Sequence, residues 1–357
     1  MDFTSDNSVG ASAPILQALV AANAGAAPAY GADPWTIAAE RALDDVFERQ
    51  TAAFMVATGT AANALAIALC APPWGAALCH AGAHVQNDEC GAPEFYSGAK
   101  LIPIEGEAGK ISPRALAETL ASLPKAVKQV QPAVLSLSQA TECGTIYTCA
   151  EIAALAEIAH GAGLAVHMDG ARFSNALVEL GCTPADMSWR AGVDVLSFGA
   201  TKNGALACEA VVVFDAGWLE EADDLAYRRK RAGHTLSKGR FFGAQMTAFL
   251  ENGHWLDLAR RANAQASALE AGLREAPGAR LVWPRQANEV FVILPAAVDA
   301  ALRAAGARYH GWTARALAPQ DRPRADEVFV RLVASFATQT AEVDRFVDIA
   351  RKTASIP

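Results

Sequence analysis

Between about residues 52 and 215, short apolar runs alternate with longer stretches in which apolar positions recur at helical spacing. Runs of strand length fall at 76–80, 101–104, 133–138, 164–169, 195–199 and 210–214. Residues 113–123 and 149–162 carry the helical pattern, with Gly163 placed to stop the second. Such alternation predicts an α/β protein with a mostly parallel mixed sheet flanked by helices and ligands at the C-terminal strand ends. Only a short segment containing Asn203-Gly204 separates the last two runs, which predicts one antiparallel strand. Beyond about residue 245 the pattern changes. A long helical stretch over 245–275 precedes strand-like runs at 280–283, 289–294 and 327–333, a smaller α+β unit. The chain thus divides into a large domain with an N-terminal arm, residues 1–245, and a small C-terminal domain, residues 246–357. Residues 316–326, rich in Pro and Arg, read as loop.

Composition narrows the class. Of 357 residues, 52% are hydrophobic and 19% charged, enough apolar material for a large core. A net charge of -8 excludes a nucleic-acid backbone as the natural partner. The one basic cluster, Arg228-Arg229-Lys230-Arg231, reads as a solvated helix face. Seven scattered cysteines without a two-residue-spaced pair read as reduced thiols, not as a disulfide frame or a metal site. The acidic, polar N-terminal residues lack the character of a secretory signal, and no apolar run is long enough to span a bilayer. A cytoplasmic, enzyme-sized protein is expected.

Candidate chemistry sits at the strand ends. His167-Met168-Asp169-Gly170-Ala171-Arg172 closes one apolar run, and Ser197-Phe198-Gly199-Ala200-Thr201-Lys202-Asn203-Gly204 closes the next. A lysine beside an Asn-Gly turn is ordinarily solvated. Lys202, however, lies between two strongly apolar runs, where desolvation makes an amine nucleophilic and able to form a Schiff base with an aldehyde. Asp169 could cap a helix starting near Arg172. It could equally keep a pyridine nitrogen protonated so that the ring becomes an electron sink. Acid and lysine together point to pyridoxal 5′-phosphate.

Thr58-Gly59-Thr60 precede a helix over about 61–69, where hydroxyls and a glycine suit either a phosphate or a plain cap. His84 could stack on a cofactor ring and share a proton network with Glu89, although both also fit as ordinary polar loop residues. Arg331, inside Phe329-Val330-Arg331-Leu332-Val333, needs an anionic partner, either a bound carboxylate or a structural ion pair.

Taken in order, Ser5-Asp6, Ala29-Tyr30-Gly31-Ala32-Asp33-Pro34, Thr58-Gly59-Thr60-Ala61-Ala62-Asn63, Ala83-His84, the Asp169 and Lys202 segments and Val330-Arg331-Leu332-Val333 resemble the L-threonine aldolases. These are fold-type I pyridoxal-phosphate enzymes that cleave threonine, allo-threonine or phenylserine to glycine and an aldehyde. The resemblance implies that Lys202 links the cofactor, Asp169 pairs with its ring nitrogen, Arg172 contacts its phenolic oxygen and His84 stacks on its ring. It implies that Gly59 and Thr60 bind the phosphate with help from a neighbouring subunit's Lys238 or Arg229. Ser5 and Arg331 would hold the substrate carboxylate, and Tyr30 would reach across the interface of a homo-oligomer, dimer or tetramer.

Many members carry a histidine where Gln139-Ala140-Thr141-Glu142-Cys143-Gly144 places Glu142, so the base acting on the β-hydroxyl is His84, Glu142 or an ordered water. Another fold-type I reaction, β-elimination or racemisation, and noncatalytic cofactor binding are the competing readings. The absence of a glycine-rich dinucleotide fingerprint after any strand disfavours a dehydrogenase.

Overall fold

The computed structural model describes residues 1–215, 217, 222–314 and 317–354. Seven strands form the larger sheet: β1 Ala52–Val56, β2 Gly75–His80, β3 Lys100–Ile104, β4 Gln131–Ser138, β5 Ala165–Gly170, β6 Val195–Gly199 and β7 Glu209–Val213. Their spatial order is β1-β7-β6-β5-β4-β2-β3. Neighbours from β6 to β3 are parallel, and β7 runs antiparallel to both β6 and β1. The expected single reversed strand is therefore present.

Strands β2, β5, β6 and β7 are buried along their whole length, which is why they read as continuous apolar runs. Their side chains alternate between two apolar clusters, one per face. Val166, Met168, Leu196 and Phe198 enter one cluster; Ala165, Val195, Val211 and Val213 enter the other. On the first face Phe47 packs edge-on against Phe173, Phe198 and Phe214 with ring centroids 6.0, 5.7 and 4.9 Å apart. On the second, the alanine-rich helix Gly59–Cys70 is buried at every position from Ala61 onward. Small side chains let that helix lie close on the sheet, which fixes its N-terminus at the strand ends.

A second sheet of β8 Arg280–Leu281, β9 Glu289–Pro295, β10 His310–Gly311 and β11 Glu327–Val333 has the order β10-β11-β9-β8, all antiparallel. Phe3 is buried in the cluster beneath it, and the Phe3 N–H donates to the Arg308 carbonyl at 2.8 Å. The Val333 N–H in turn donates to the Phe3 carbonyl at 2.9 Å.

Three expectations are corrected. The helical stretch 245–275 is two helices, Arg240–Leu250 and His254–Arg274, because Asn252 and Gly253 between them take φ of 55° and 70°. The helix expected from about 61 begins at Gly59, so Thr58 is its cap. The strand expected over 280–283 ends at Leu281. Of the loop read over 316–326, residue 316 lies outside the described residues, and the remainder holds a 3-10 turn, Pro319–Asp321. Among the described residues no helix is long and apolar enough to cross a membrane.

Candidate active site

Asp169 ends β5, and Lys202 sits in the 3-10 turn Thr201–Asn203 that follows β6. Both line one cavity of about 1250 Å³ at the C-terminal edge of the large sheet. Ser5, Gly59, Thr60, His84, Glu89, Glu142, Arg172 and Arg331 line it too. Three predicted residues do not. Tyr30 and Arg229 face a separate crevice of about 20 Å³, and Lys238 is exposed and lines neither. Arg229 lies over the Phe54 ring at 5.2 Å and Lys230 over the Tyr30 ring at 4.7 Å, so part of the basic cluster packs on aromatic rings.

One wall is tightly hydrogen-bonded. The Asn63 amide nitrogen donates to Asp169 Oδ2 at 2.9 Å and to Glu89 Oε1 at 2.8 Å. The same Glu89 oxygen lies 2.8 Å from His84 Nδ1. Asp169 Oδ1 accepts the Ala171 N–H at 3.0 Å, and the following helix is capped by Arg172, so Asp169 is not its cap. The hydrogen bond to Glu89 raises the His84 pKa, and burial raises that of Glu89. Below Asp169, His167 is clasped by the Ser136 and Ser197 hydroxyls, each 2.9 Å away. Burial pushes its imidazole down to about 4, so it braces the three central strands as a neutral ring.

Glu142 hangs over the same wall. Its Oε1 accepts the His84 N–H and the Ser138 hydroxyl, both at 2.8 Å, while its buried Oε2 has no hydrogen-bond partner. Burial pushes this carboxyl up to about 7. At the helix N-terminus, Thr58 accepts the Ala61 N–H on its hydroxyl and the Ala62 N–H on its carbonyl. The Gly59 and Thr60 amides precede these at the open end of the helix, which favours an anion.

The opposite wall is charged and unevenly paired. Arg172 grips Asp6 in bidentate fashion at 2.8 and 3.1 Å. Its Nη1 also lies 3.4 Å from Glu289 Oε2, and Arg331 Nη1 lies 3.7 Å from Glu289 Oε1. Arg331 stacks on the Trp312 ring at 4.2 Å. Within this chain Glu289 is thus an anionic neighbour of Arg331.

Sequence reasoning missed Asn63, Asp6, Glu289 and Glu209. Glu209 begins β7, lines the cavity and accepts the Ala200 N–H at 3.0 Å; burial pushes it up to about 7. A usable signal existed for Glu209 and Glu289, since each is an acid at the mouth of an apolar run. Among the described residues no cluster of three or more metal-ligating side chains occurs. The cysteines are free, and Cys149 and Cys182 place their sulfurs 3.7 Å apart.

A sheet with one reversed strand, an aspartate and a lysine on adjacent strand ends, and an open helix N-terminus beside them define a fold-type I α/β enzyme. The chain belongs to the beta-eliminating lyase family, whose model matches residues 2–297. It is 42% identical over 309 residues to the low specificity L-threonine aldolase of Pseudomonas aeruginosa, covering 86% of this chain and 88% of that one. A second low specificity L-threonine aldolase, from a Pseudomonas sp., is 41% identical with the same coverage. The threonine aldolase of Leishmania major superimposes with a TM-score of 0.91 at 27% identity, covering 99% of both chains. Serine palmitoyltransferase of Sphingomonas wittichii, at 17% identity and a TM-score of 0.74 over 100% of this chain and 88% of that one, shares the fold. The resemblance read from the sequence is borne out.

Proposed function

We propose that this protein cleaves L-threonine, L-allo-threonine or L-phenylserine-type β-hydroxy-α-amino acids to glycine and an aldehyde, using pyridoxal 5′-phosphate. The observation that carries the reading is the convergence of Lys202, Asp169, His84, Glu142 and the open N-terminus of Gly59–Cys70 on one cavity. The residues present fit the cofactor. Asp169 has both oxygens oriented by the Asn63 and Ala171 donors, and the unclaimed end of the helix suits a phosphate. When bound, the cofactor supplies the electron sink that makes cleavage of the Cα–Cβ bond possible.

Lys202 would hold it covalently, Asp169 would pair with its ring nitrogen, Arg172 would approach its phenolic oxygen, and His84 would lie on its ring. Gly59 and Thr60 would take the phosphate. Ser5 and Arg331 orient the substrate by its carboxylate. Glu142 removes the β-hydroxyl proton at Oε2, the one oxygen of that carboxylate left without a donor, with Oε1 anchored by Ser138 and the His84 amide.

Tyr30, Arg229 and Lys238 lie away from the cavity of their own chain, which supports a homo-oligomer, dimer or tetramer, in which they serve a second copy's site. The same reading places the enzyme in the cytoplasm and divides the chain at about residue 245, as the two separate sheets support. Incubation with threonine tests the activity: acetaldehyde and glycine in equal amounts without ammonia are expected. Ammonia with a 2-oxo acid would mean elimination instead.

A further inference from the structure

Glu289 is the least explained group in the cavity. Its side chain is 1% exposed and lines the cavity, yet neither carboxylate oxygen accepts a hydrogen bond. Its two arginine contacts, at 3.4 and 3.7 Å, are longer than the roughly 2.7–2.9 Å of a charge-assisted hydrogen bond. A buried carboxylate held so loosely is costly, and an apolar residue would serve the strand better.

Its position accounts for it. Glu289 lies opposite Val333 on β11, in line with Arg331 two residues away, whose guanidinium is fixed on Trp312. Arg172 is already committed to Asp6, which Asn288 also holds at 3.0 Å. Two arginines and two carboxylates therefore make a quartet whose charges cancel. The loop behind it closes down at Gly144, where φ is 71° and a Cβ would meet the Phe291 ring at 3.0 Å and Glu289 at 3.3 Å, so the quartet is sealed on that side.

An α-amino acid brings one carboxylate and one ammonium into this neutral setting, and the balance is kept. A plain monocarboxylate docking on Arg331 brings an uncompensated negative charge beside Glu289. We propose that Glu289 is a specificity-determining residue that restricts the Arg331 carboxylate site to ligands carrying an α-amino group. This rests on the aldolase reading only in taking Arg331 as the carboxylate clamp.

The test uses the holoenzyme with glycine and acetate, which differ by the amino group alone, as ligands competing with threonine. In Glu289→Gln the acetate inhibition constant should fall about tenfold or more while that for glycine moves less than about threefold, the arithmetic of one removed like-charge contact. Equal changes for both ligands, or none, overturn the proposal. Glu289→Asp keeps the charge and should keep the exclusion of acetate; if acetate gains there as it does in Glu289→Gln, packing is responsible and the proposal fails.

A thermal measurement stands apart from turnover. Acetate should leave the wild-type thermal transition unmoved and raise that of Glu289→Gln, and an equal response of the two proteins overturns the idea. Threonine turnover on the same preparations separates the two readings. A wild type that releases no glycine defeats the aldolase reaction but leaves the comparison of bound acetate and glycine to stand or fall by itself.

Discussion

The two walls of the cavity are built on opposite plans. Around Asp169, hydrogen bonds of 2.8–3.0 Å link Asn63, Glu89, His84 and the Ala171 amide into one connected set. Around Glu289, the two arginines stand 3.4 and 3.7 Å away, and neither carboxylate oxygen has a hydrogen-bond partner. The first arrangement stands on the edge of a buried parallel sheet and a helix packed directly on it; the second joins the smaller sheet to the N-terminal segment. A set of short, connected hydrogen bonds fixes geometry and pKa values. A loosely paired one can exchange partners when a charged ligand arrives. In the proposed reaction, chemistry that must be oriented would fall to the first wall, and recognition that must be reversible to the second.

That contrast can be broken most severely at the lysine. Lys202→Ala should abolish turnover and the visible absorbance of the lysine-linked cofactor together, and an active, coloured variant would undo the assignment. Next comes Glu142→Gln, with an expected fall in kcat of about 10²–10⁴-fold, the usual worth of a general base. Burial holds Glu142 near 7, so the carboxyl is protonated below that pH and ionised above it. Wild-type kcat should therefore climb as pH rises through about 7, and this limb should vanish in the variant. The stability consequence has the same pH window. A carboxyl whose folded pKa is raised contributes its stability at low pH and loses it as pH rises through about 7.

A smaller loss tests the tight wall. Asn63→Ala removes one donor from Asp169 and one from Glu89, and kcat should drop about 10–100-fold, the rate equivalent of a 1–3 kcal/mol hydrogen bond. The effect should appear mainly in kcat. Arg331→Lys tests the loose wall and should do the reverse, raising KM about tenfold with kcat within about threefold, because a point charge replaces a planar fork. If both variants altered kcat and KM alike, the division between the walls would be wrong.

Asp169 and Lys202 were readable in the sequence because each closes an apolar run, and a doubly covered sheet leaves only its strand ends open to a ligand. Asn63 had no comparable signal. It stands inside an alanine-rich helix, and only the packing of that helix on the sheet brings its amide between two carboxylates. Asp6 and Glu289 are far apart in sequence and meet through Arg172, a pairing no local pattern encodes. The break at Asn252-Gly253 did carry a turn signal, masked by helical spacing on both sides. Tyr30, Arg229 and Lys238 were named through resemblance, and the single chain does not bring them to the cavity.

The reversed strand β7 has one further consequence. In register, Glu209 faces Gly199 on one side and Val56 on the other, so the segments leading to Thr58, Lys202 and Glu209 all issue from a single row across the sheet. Side chains alternate strictly along a strand, and a one-residue slip of β7 against its neighbours would send the Glu209 carboxylate to the wrong face. The hairpin from β6 to β7 is a molecular ruler. The sheet holds its ends, and its middle is held at Gly204, whose φ is 107° and where a Cβ would lie 2.6 Å from Leu258.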